Sequence, residues 1–195
     1  MKFIKAPLIT NIYLLCTLVL TFSVRAEVNP ELLRSSVVVV AQPEFSLSKI
    51  QSFSWAEQHA DISAGFIKSG LSVSAIIDTA ITQALGKKAY PLGLSHKNSM
   101  LIKYHVSLAS ETNESELTLK YGLSPGLRGN SSEAKAHEQG VLVVELIGPE
   151  LNKVVWRGAV EVFTGVESTD EGRQNRVNKL LLELFSSFPA REKTK

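Results

Sequence analysis

The residues of this chain best suited to acid–base or metal chemistry are its four histidines: His59, His96, His105 and His137. None forms a His-x-x-x-His pair or has a second ligand at a spacing typical of metal sites. A hydrolase using His105, or His96 with a loop carboxylate, is one hypothesis, because a turn could bring these two histidines together. A loop histidine and a histidine on the polar face of a strand explain the pattern more simply. We therefore expect no metal ligands.

Nucleophiles and paired carboxylates give no stronger indication of catalysis. The chain has no Gly-x-Ser-x-Gly motif, which presents a catalytic serine on a strand-to-helix turn. Paired acids can hydrolyse glycosidic bonds, but polar surroundings favour a solvated acidic turn for Glu111, Glu114 and Glu116. The glycines at 122, 126 and 129 are not followed by a helix, as a phosphate cradle would require. We expect no catalytic residues, no cofactor and no cofactor-binding residues.

The most distinctive cluster is Trp156-Arg157-Gly158, which lies inside a predicted strand. The alternation of a strand places Trp156 on the same face as other apolar residues, so packing in the core is its expected role. Arg157 points to the opposite face, where it could stack on an aromatic ring, pair with Glu145 or Glu161, or bind an anion. A structural role is the simplest interpretation, because the cluster is part of a strand.

The elements that would position these residues follow from hydrophobic periodicity. Alternating or continuous apolar residues predict strands at 37–40, 51–55, 100–108, 117–121, 141–147 and 154–163. The β-branched run at 37–40 is typical of a strand covered on both faces. Gly148, Pro149 and Asn152 predict a hairpin turn between the last two strands. Residues 56–70 and 122–139 read as loops, the second of them mobile.

Two helices have one apolar stripe each. The first covers 73–85, with Gly86 as a C-terminal cap and Lys87 and Lys88 suited to the negative end of the helix dipole. The second opens with Ser168 and Glu171, spaced as a capping box, and ends before Pro189. A striped helix needs a sheet to lie on, so we expect an α+β two-layer sandwich: a mainly antiparallel sheet with two helices packed on one face.

The first 26 residues resemble a secretory signal peptide. Lys2 and Lys5 precede an apolar run at 12–22, and Val24-Arg25-Ala26 ends with small residues at the cleavage positions. The run is shorter than the roughly 20 residues of a membrane-spanning helix. We expect a signal peptide at 1–26, a lead-in at 27–35, a single domain at 36–190 and a tail at 191–195.

Cleavage at Ala26 would change both the charge and the thiol content of the protein. Residues 1–26 contain three basic residues and no acidic one, so their removal lowers the formal charge from +2 to −1. A near-neutral surface gives no electrostatic basis for binding nucleic acid. Cys16, the only cysteine, would be removed with the signal peptide. Its lipidation is the minor alternative, because Leu14 and Leu15 stand where lipid-attachment sites have small residues.

Blocks spread along the chain resemble domain-of-unknown-function family 4136, a family of bacterial envelope proteins. The blocks are residues 45–55 (FSLSKIQSFSW), 85–90 (LGKKAY), 101–106 (LIKYHV), 140–147 (GVLVVELI), 155–158 (VWRG) and the helix ending at 188–189. The resemblance implies a Gram-negative protein that is periplasmic or associated with the outer membrane. It supplies no catalytic residues, and the motif residues it highlights have expected structural roles: Phe53, Trp55, Tyr104, Trp156, Arg157 and Gly158.

The chain departs from this family pattern at three places. Family members are often lipoproteins, whereas this signal lacks a convincing lipid-attachment site. A glycine is usual where Ala89 stands, so the turn at this position need not have the geometry that is usual in the family. An acidic residue is usual where Gly148 stands, which weakens the case for an acidic site at the hairpin tip.

Three functional hypotheses remain. The leading one is a non-enzymatic envelope protein that binds another protein or an envelope component through exposed apolar residues around Leu123 and Leu127. The second is a carrier of a small apolar ligand or lipid, with a pocket of several hundred Å³ between sheet and helices. The third is the hydrolase using His105 or His96. Membrane association without a spanning segment is compatible with the first two.

Overall fold

Five strands form one sheet in the order β1-β5-β4-β3-β2. The computed structural model describes residues 36–42, 50, 52–67, 72–93, 99–127, 138–149 and 152–191. The strands are β1 (Val37–Ala41), β2 (Ser52–Ile62), β3 (Ser99–Leu108), β4 (Gln139–Ile147) and β5 (Val154–Phe163). The helices are α1 (Ala64–Ile67), α2 (Val73–Lys87), α3 (Glu114–Tyr121) and α4 (Asp170–Leu184).

The α+β prediction is confirmed. All neighbouring strands pair antiparallel except β2 and β3, which pair parallel. The two long helices α2 and α4 pack side by side against one face of the sheet, where Gln174 Nε2 donates a hydrogen bond to the carbonyl of Ile76 over 3.2 Å. The short helix α3 lies against the opposite face, so that face is also partly covered.

Each face of the sheet has its own apolar cluster. The larger cluster lies under α2 and α4 and includes Tyr104, Leu142 and Trp156. The smaller one lies under α3 and includes Leu117, Tyr121, Leu123, Val141, Val143 and Ala159. Successive residues of a strand point to opposite faces, so Leu142 and Val143 belong to different clusters. Burying a large apolar side chain stabilises a fold by about 1.5–3 kcal/mol, so both clusters contribute.

The hairpin between β4 and β5 forms as predicted. The Gly148 amide donates to the Lys153 carbonyl over 2.9 Å, and Asn152 has the left-handed backbone expected of it, with φ of 49°.

The run at 37–40 is covered on both faces in part, since Val37 and Val39 pack against the larger cluster and Val38 against the smaller one. Val40 is 49% exposed, because β1 is an edge strand that pairs with β5.

Three predictions about secondary structure are wrong. Residues 56–62 are not loop, because parallel pairing with β3 resumes at Ala60 after a register shift and extends β2 to Ile62. Residues 64–67, also placed in that loop, form α1.

The third concerns residues 117–121, which belong to α3 rather than to a strand. Asn113 and Glu116 form a capping box at the start of this helix, and Gly122 ends it in the left-handed conformation. Leu117 and Tyr121 are therefore buried on one helix face, whereas Leu119 is 88% exposed.

The helix α4 begins one residue later than its predicted cap implies. The N-cap is Thr169, whose hydroxyl accepts a hydrogen bond from the Gly172 amide over 3.1 Å, rather than Ser168. The predicted signal peptide, the lead-in and all but Arg191 of the tail lie outside the described residues.

Candidate functional site

An apolar cavity of about 420 Å³ lies between the sheet and the helices α2 and α4. Its floor is formed by Val106 of β3, Leu142 of β4 and Val162 of β5. Its walls are apolar residues of α1, α2 and α4 and the end of β5: Phe66, Val73, Ile76, Ile77, Phe163, Val177 and Leu180. This volume lies within the range of roughly 300–1,000 Å³ that is typical of ligand pockets.

Amphipathic helices explain why the cavity walls are apolar. The stripe of α2 turns Ile77 toward the sheet, and the stripe of α4 does the same with Leu180. The floor is buried, since Leu142 and Val106 are almost inaccessible to solvent. At the other end the lining includes Gly165, which is exposed in the turn after β5, and we call this side of the cavity, between the turn and α4, its mouth.

The mouth of the cavity is polar and carries three charged residues, Glu167, Arg173 and Arg176. Arg176 Nη1 donates to Glu167 Oε1 over 3.1 Å. Arg173 Nη1 donates to the Glu167 carbonyl over 3.3 Å, and Arg173 Nη2 donates to the carboxylate of Asp170. The Nε of Arg173 is buried and has no hydrogen-bond partner among the described residues. These arginines were not predicted as site residues from the sequence, although both extend the apolar stripe of α4 toward its N-terminus.

A second candidate site is a chain of hydrogen-bonded polar side chains on the opposite face of the sheet. His105 Nδ1 lies 3.0 Å from Asp61 Oδ2, and His105 Nε2 lies 3.3 Å from Glu145 Oε2. Arg157 Nε donates to Glu145 Oε1 over 2.6 Å, and its Nη1 donates to the Tyr121 carbonyl over 3.2 Å. Strand pairing explains the arrangement, since His105 has Asp61 as its register partner and Glu145 has Arg157.

This chain of hydrogen bonds connects α3 to the sheet, and its geometry is poorly suited to hydrolysis. Both ring nitrogens of His105 face carboxylates, which only accept hydrogen bonds, so neither nitrogen is free to act as a general base. Burial alone would raise the pKa of Glu145, but hydrogen bonds from His105 and Arg157 outweigh burial and lower it. The geometry therefore favours an ionised Glu145 that stabilises its two partners.

The motif Trp156-Arg157-Gly158 divides its residues between the two faces. The Trp156 ring stacks on Phe185 with the ring centres 5.1 Å apart. Arg157 takes Glu145 as its partner, one of the alternatives that the sequence left open. A Cβ atom at Gly158 would lie 2.7 Å from a methyl group of Leu184, so a glycine here allows α4 to approach β5.

The remaining motif residues lie under α2 and beside it. Phe53 is fully buried, and the centre of its ring lies 5.1 Å from the centre of the Tyr90 ring. The hydroxyl of Tyr104 donates to Asp78 Oδ1 over 2.8 Å. Trp55 lies against His59, with ring centres 4.7 Å apart.

One member of the predicted catalytic pair, His96, lies outside the described residues, as does His137. His59 approaches Asp78, with Nε2 3.4 Å from Oδ2. Among the described ranges, no group of three His, Cys, Asp or Glu side chains could hold a metal ion. Within those same ranges no helix has the length and apolar character needed to cross a membrane.

The exposed apolar surface predicted around Leu123 and Leu127 is not present. Leu123 is only 1% exposed, and Leu127 packs half-buried against the α3 cluster. The carboxylate of Glu114 holds this segment by accepting hydrogen bonds from the amides of Gly126 and Leu127, each over 2.9 Å. Residues 122–127 form a loop, as predicted, but this loop packs on the domain, and residues 128–137 lie outside the described part.

Comparisons with known proteins concern the family and the fold. The family model of a domain of unknown function, DUF4136, matches residues 37–190. The fold is similar to a PelC dodecamer from Paraburkholderia phytofirmans, with 12% identity over 82% of this chain and 100% of that one, and a TM-score of 0.49. It is also similar to a PDZ domain protein from Parabacteroides distasonis, with 15% identity, 85% and 40% coverage, and a TM-score of 0.45. No curated protein matches the chain.

Proposed function

We propose that this protein, which belongs to the DUF4136 family because that family's model matches most of its chain, binds a small apolar ligand in the cavity beneath α2 and α4. The observation that supports this proposal is the cavity itself, whose floor and walls are apolar and whose mouth is polar. Pockets of this volume and lining are the usual binding sites of small molecules. The proposal corresponds to the carrier hypothesis of the sequence analysis.

Energetics also favour an occupied cavity. Protein interiors are packed as densely as organic crystals, and two striped helices on a sheet normally close such a gap. A closed void of about 420 Å³ would cost on the order of 10 kcal/mol at about 24 cal/mol per Å³, comparable with the whole stability of a domain. This is an upper bound because the cavity opens to solvent at its mouth. An apolar ligand would recover part of that cost through contacts with the walls.

We also propose that the protein is exported and meets its ligand in the cell envelope. The support is the order of charged, apolar and small residues in the segment 1–26. The intact mass of the chain isolated from the envelope tests this proposal. A chain beginning at Glu27 is expected, whereas an uncleaved chain would contradict the signal peptide and an acylated chain beginning at Cys16 would make the protein a lipoprotein.

Filling the cavity tests the binding function. In Val177→Phe, a ring added on α4 would occupy the cavity, and Val162→Phe would fill it from β5. Leu119→Phe is the matched control, because Leu119 is exposed on α3 on the other side of the sheet. The apolar fluorescent probe N-phenylnaphthylamine is titrated into each protein, and the stability of each is measured by thermal unfolding.

We expect saturable binding of one probe to the unaltered protein and to Leu119→Phe. Binding to both filling variants should weaken at least about tenfold, because the ring takes the volume that the probe needs. Equal binding to a folded filling variant would contradict the proposal. Absence of saturable binding to the unaltered protein would contradict it as well.

A further inference from the structure

We propose that the ligand of the cavity is an anionic amphiphile with a single alkyl chain, whose head group binds Arg173 at the mouth. This inference rests on the proposed function and adds the chemical class of the ligand. Its alkyl chain would lie among the apolar walls, and its carboxylate or phosphate would remain at the polar end. The first support is this polarity, since charged lining residues are confined to the mouth.

The second support is an unused hydrogen-bond donor. Both terminal nitrogens of Arg173 donate within the protein, but its Nε is buried without a partner among the described residues. A buried donor of a charged group that lacks an acceptor is costly, typically by more than a neutral one. Since Arg173 lines the cavity, an anionic oxygen at the mouth would supply the missing acceptor.

The third support is the balance of charge at the mouth. Two arginines line it against one carboxylate, and the side chain of that carboxylate, Glu167, is bonded to Arg176. Asp170, which accepts from Arg173 Nη2, is 66% exposed in its side chain, so solvent screens that pair. An anion with two oxygens can bind Nε and a terminal nitrogen of one guanidinium together. A cationic head group would have to compete with Arg173 and Arg176 for the carboxylates that already pair with them, Asp170 and Glu167.

Four probes whose unbranched alkyl chains differ by at most one carbon separate the effect of the head group from that of the chain: dodecanoate, dodecyl phosphate, dodecanol and dodecyltrimethylammonium. Each is titrated calorimetrically, below its micelle concentration, into the chain that begins at Glu27. We expect at least one anion to bind about tenfold to a hundredfold more tightly than dodecanol, the range of a hydrogen bond to a charged group. Preference between the two anions distinguishes a fatty acid from a lipid phosphate.

Variants of the mouth assign the effect to Arg173. Arg173→Gln should reduce the affinity for the anion to that for dodecanol while leaving dodecanol binding unchanged. Arg173→Lys should retain part of the preference. Lys179→Gln is the matched control, because it removes one positive charge from an exposed position of α4 outside the cavity lining and should change neither affinity.

The outcomes separate this inference from the proposed function. If dodecanol binds as tightly as both anions, the inference is overturned and the cavity still binds apolar ligands. If none of the probes binds, the proposed function itself is overturned. If Arg173→Gln does not fold, the comparison of the four probes on the unaltered protein decides. An anion preference that persists in a folded Arg173→Gln protein would also overturn the assignment to Arg173.

Discussion

The carboxylate of Glu145 lies between Arg157 and His105 on the face of the sheet covered by α3. Its side chain is almost inaccessible to solvent, so the charge is tolerated only because both neighbours donate hydrogen bonds to it. Arg157 also donates to the carbonyl at the end of α3. These contacts offset the cost of burying the charge and connect β4 and β5 to α3.

Replacing this carboxylate with an amide should make stability less dependent on pH. The pKa of Glu145 is lowered in the fold, so its ionised form stabilises the protein above the unfolded pKa of about 4.3, and that stabilisation is lost as the pH falls through the lowered pKa. Glu145→Gln should therefore cost about 2 kcal/mol of unfolding free energy at pH 7 and much less near pH 3. Urea unfolding at both pH values measures this.

Glu57→Gln is the control, because Glu57 is exposed on β2 and should change stability by less than about 0.5 kcal/mol at either pH. If Glu145→Gln lowers the free energy of unfolding as much at pH 3 as at pH 7, the ionic role assigned to Glu145 is ruled out.

Sequence patterns predict some contacts of single residues but not all. Alternation in β5 places Arg157 on the face of the sheet that Trp156 does not occupy, and Glu145 was one of the candidate partners of Arg157. The pairing of His105 with Asp61 was not foreseen, because residues 56–62 were assigned to a loop and their register with β3 depends on the tertiary fold. The arginines of the cavity mouth could not be predicted as site residues, because a charged residue beside an apolar stripe is common on surface helices.

At the scale of elements, the end of α2 contains a strained residue. Ala89 has a φ of 64°, in the left-handed region that glycine adopts at little cost. The Tyr90 amide donates to the Leu85 carbonyl over 3.1 Å, and the Ala89 amide donates to the Gly86 carbonyl over 2.9 Å. This is the Schellman pattern that usually contains glycine, as the family resemblance led us to expect at this position.

Ala89→Gly should stabilise the protein. Glycine removes a left-handed strain of about 1–2 kcal/mol, whereas its greater freedom in the unfolded chain costs about 0.4–1 kcal/mol. The expected net gain is about 0.5–1 kcal/mol, or roughly 1–4 °C in the melting temperature. Ala89→Ser, which keeps a Cβ atom in the same conformation, is the control and should give no gain. A lower melting temperature for Ala89→Gly than for Ala89→Ser would show that the strain is not present.

The segment after α3 is held by one carboxylate. Glu114 accepts hydrogen bonds from Ser124 Oγ and from the amides of Gly126 and Leu127. Burial alone would raise the pKa of Glu114, but these hydrogen bonds outweigh it and lower the pKa. Their common acceptor explains why a glycine-rich sequence packs on the sheet instead of extending into solvent.

Glu114→Ala should release this segment. We expect hydrogen exchange at the amides of Gly126 and Leu127 to accelerate at least about tenfold, since both lose their acceptor. The Gly122 amide, which donates to the Thr118 carbonyl, is an internal reference whose exchange should change little. Ser115→Ala is the control variant, with an exposed side chain on the same helix turn. Unchanged exchange at Gly126 and Leu127 would mean that other contacts hold the segment.

Long, strongly periodic elements could be predicted from the sequence, whereas short ones could not. The stripes of α2 and α4 and the β4–β5 hairpin follow from local pattern. In α3, the apolar positions 117, 119 and 121 also fit a strand, and the decision depends on the capping box of Asn113 and Glu116 and on Gly122. The capping residues therefore indicated a helix, but the alternation of three apolar positions favoured a strand.

At the scale of the whole molecule, the cavity results from the placement of two helices on one sheet. Each stripe is apolar over its length, which predicts that α2 and α4 lie on the sheet but not how closely they pack above β3, β4 and β5. A pocket was therefore only one of the alternatives that the sequence left open. The volume depends on helix positions that the periodicity of a sequence does not specify.

The most direct test of ligand binding is to locate a bound probe by NMR in the protein labelled at its methyl groups. Dodecanoate is titrated into the chain that begins at Glu27. The account predicts saturable shifts of methyl resonances from the floor and a wall of the cavity, at Val106, Leu142 and Val177, while Leu119 and Leu123 beyond the sheet remain unchanged. Saturating dodecanoate that leaves the cavity residues unshifted, or shifts only residues of α3, would contradict it.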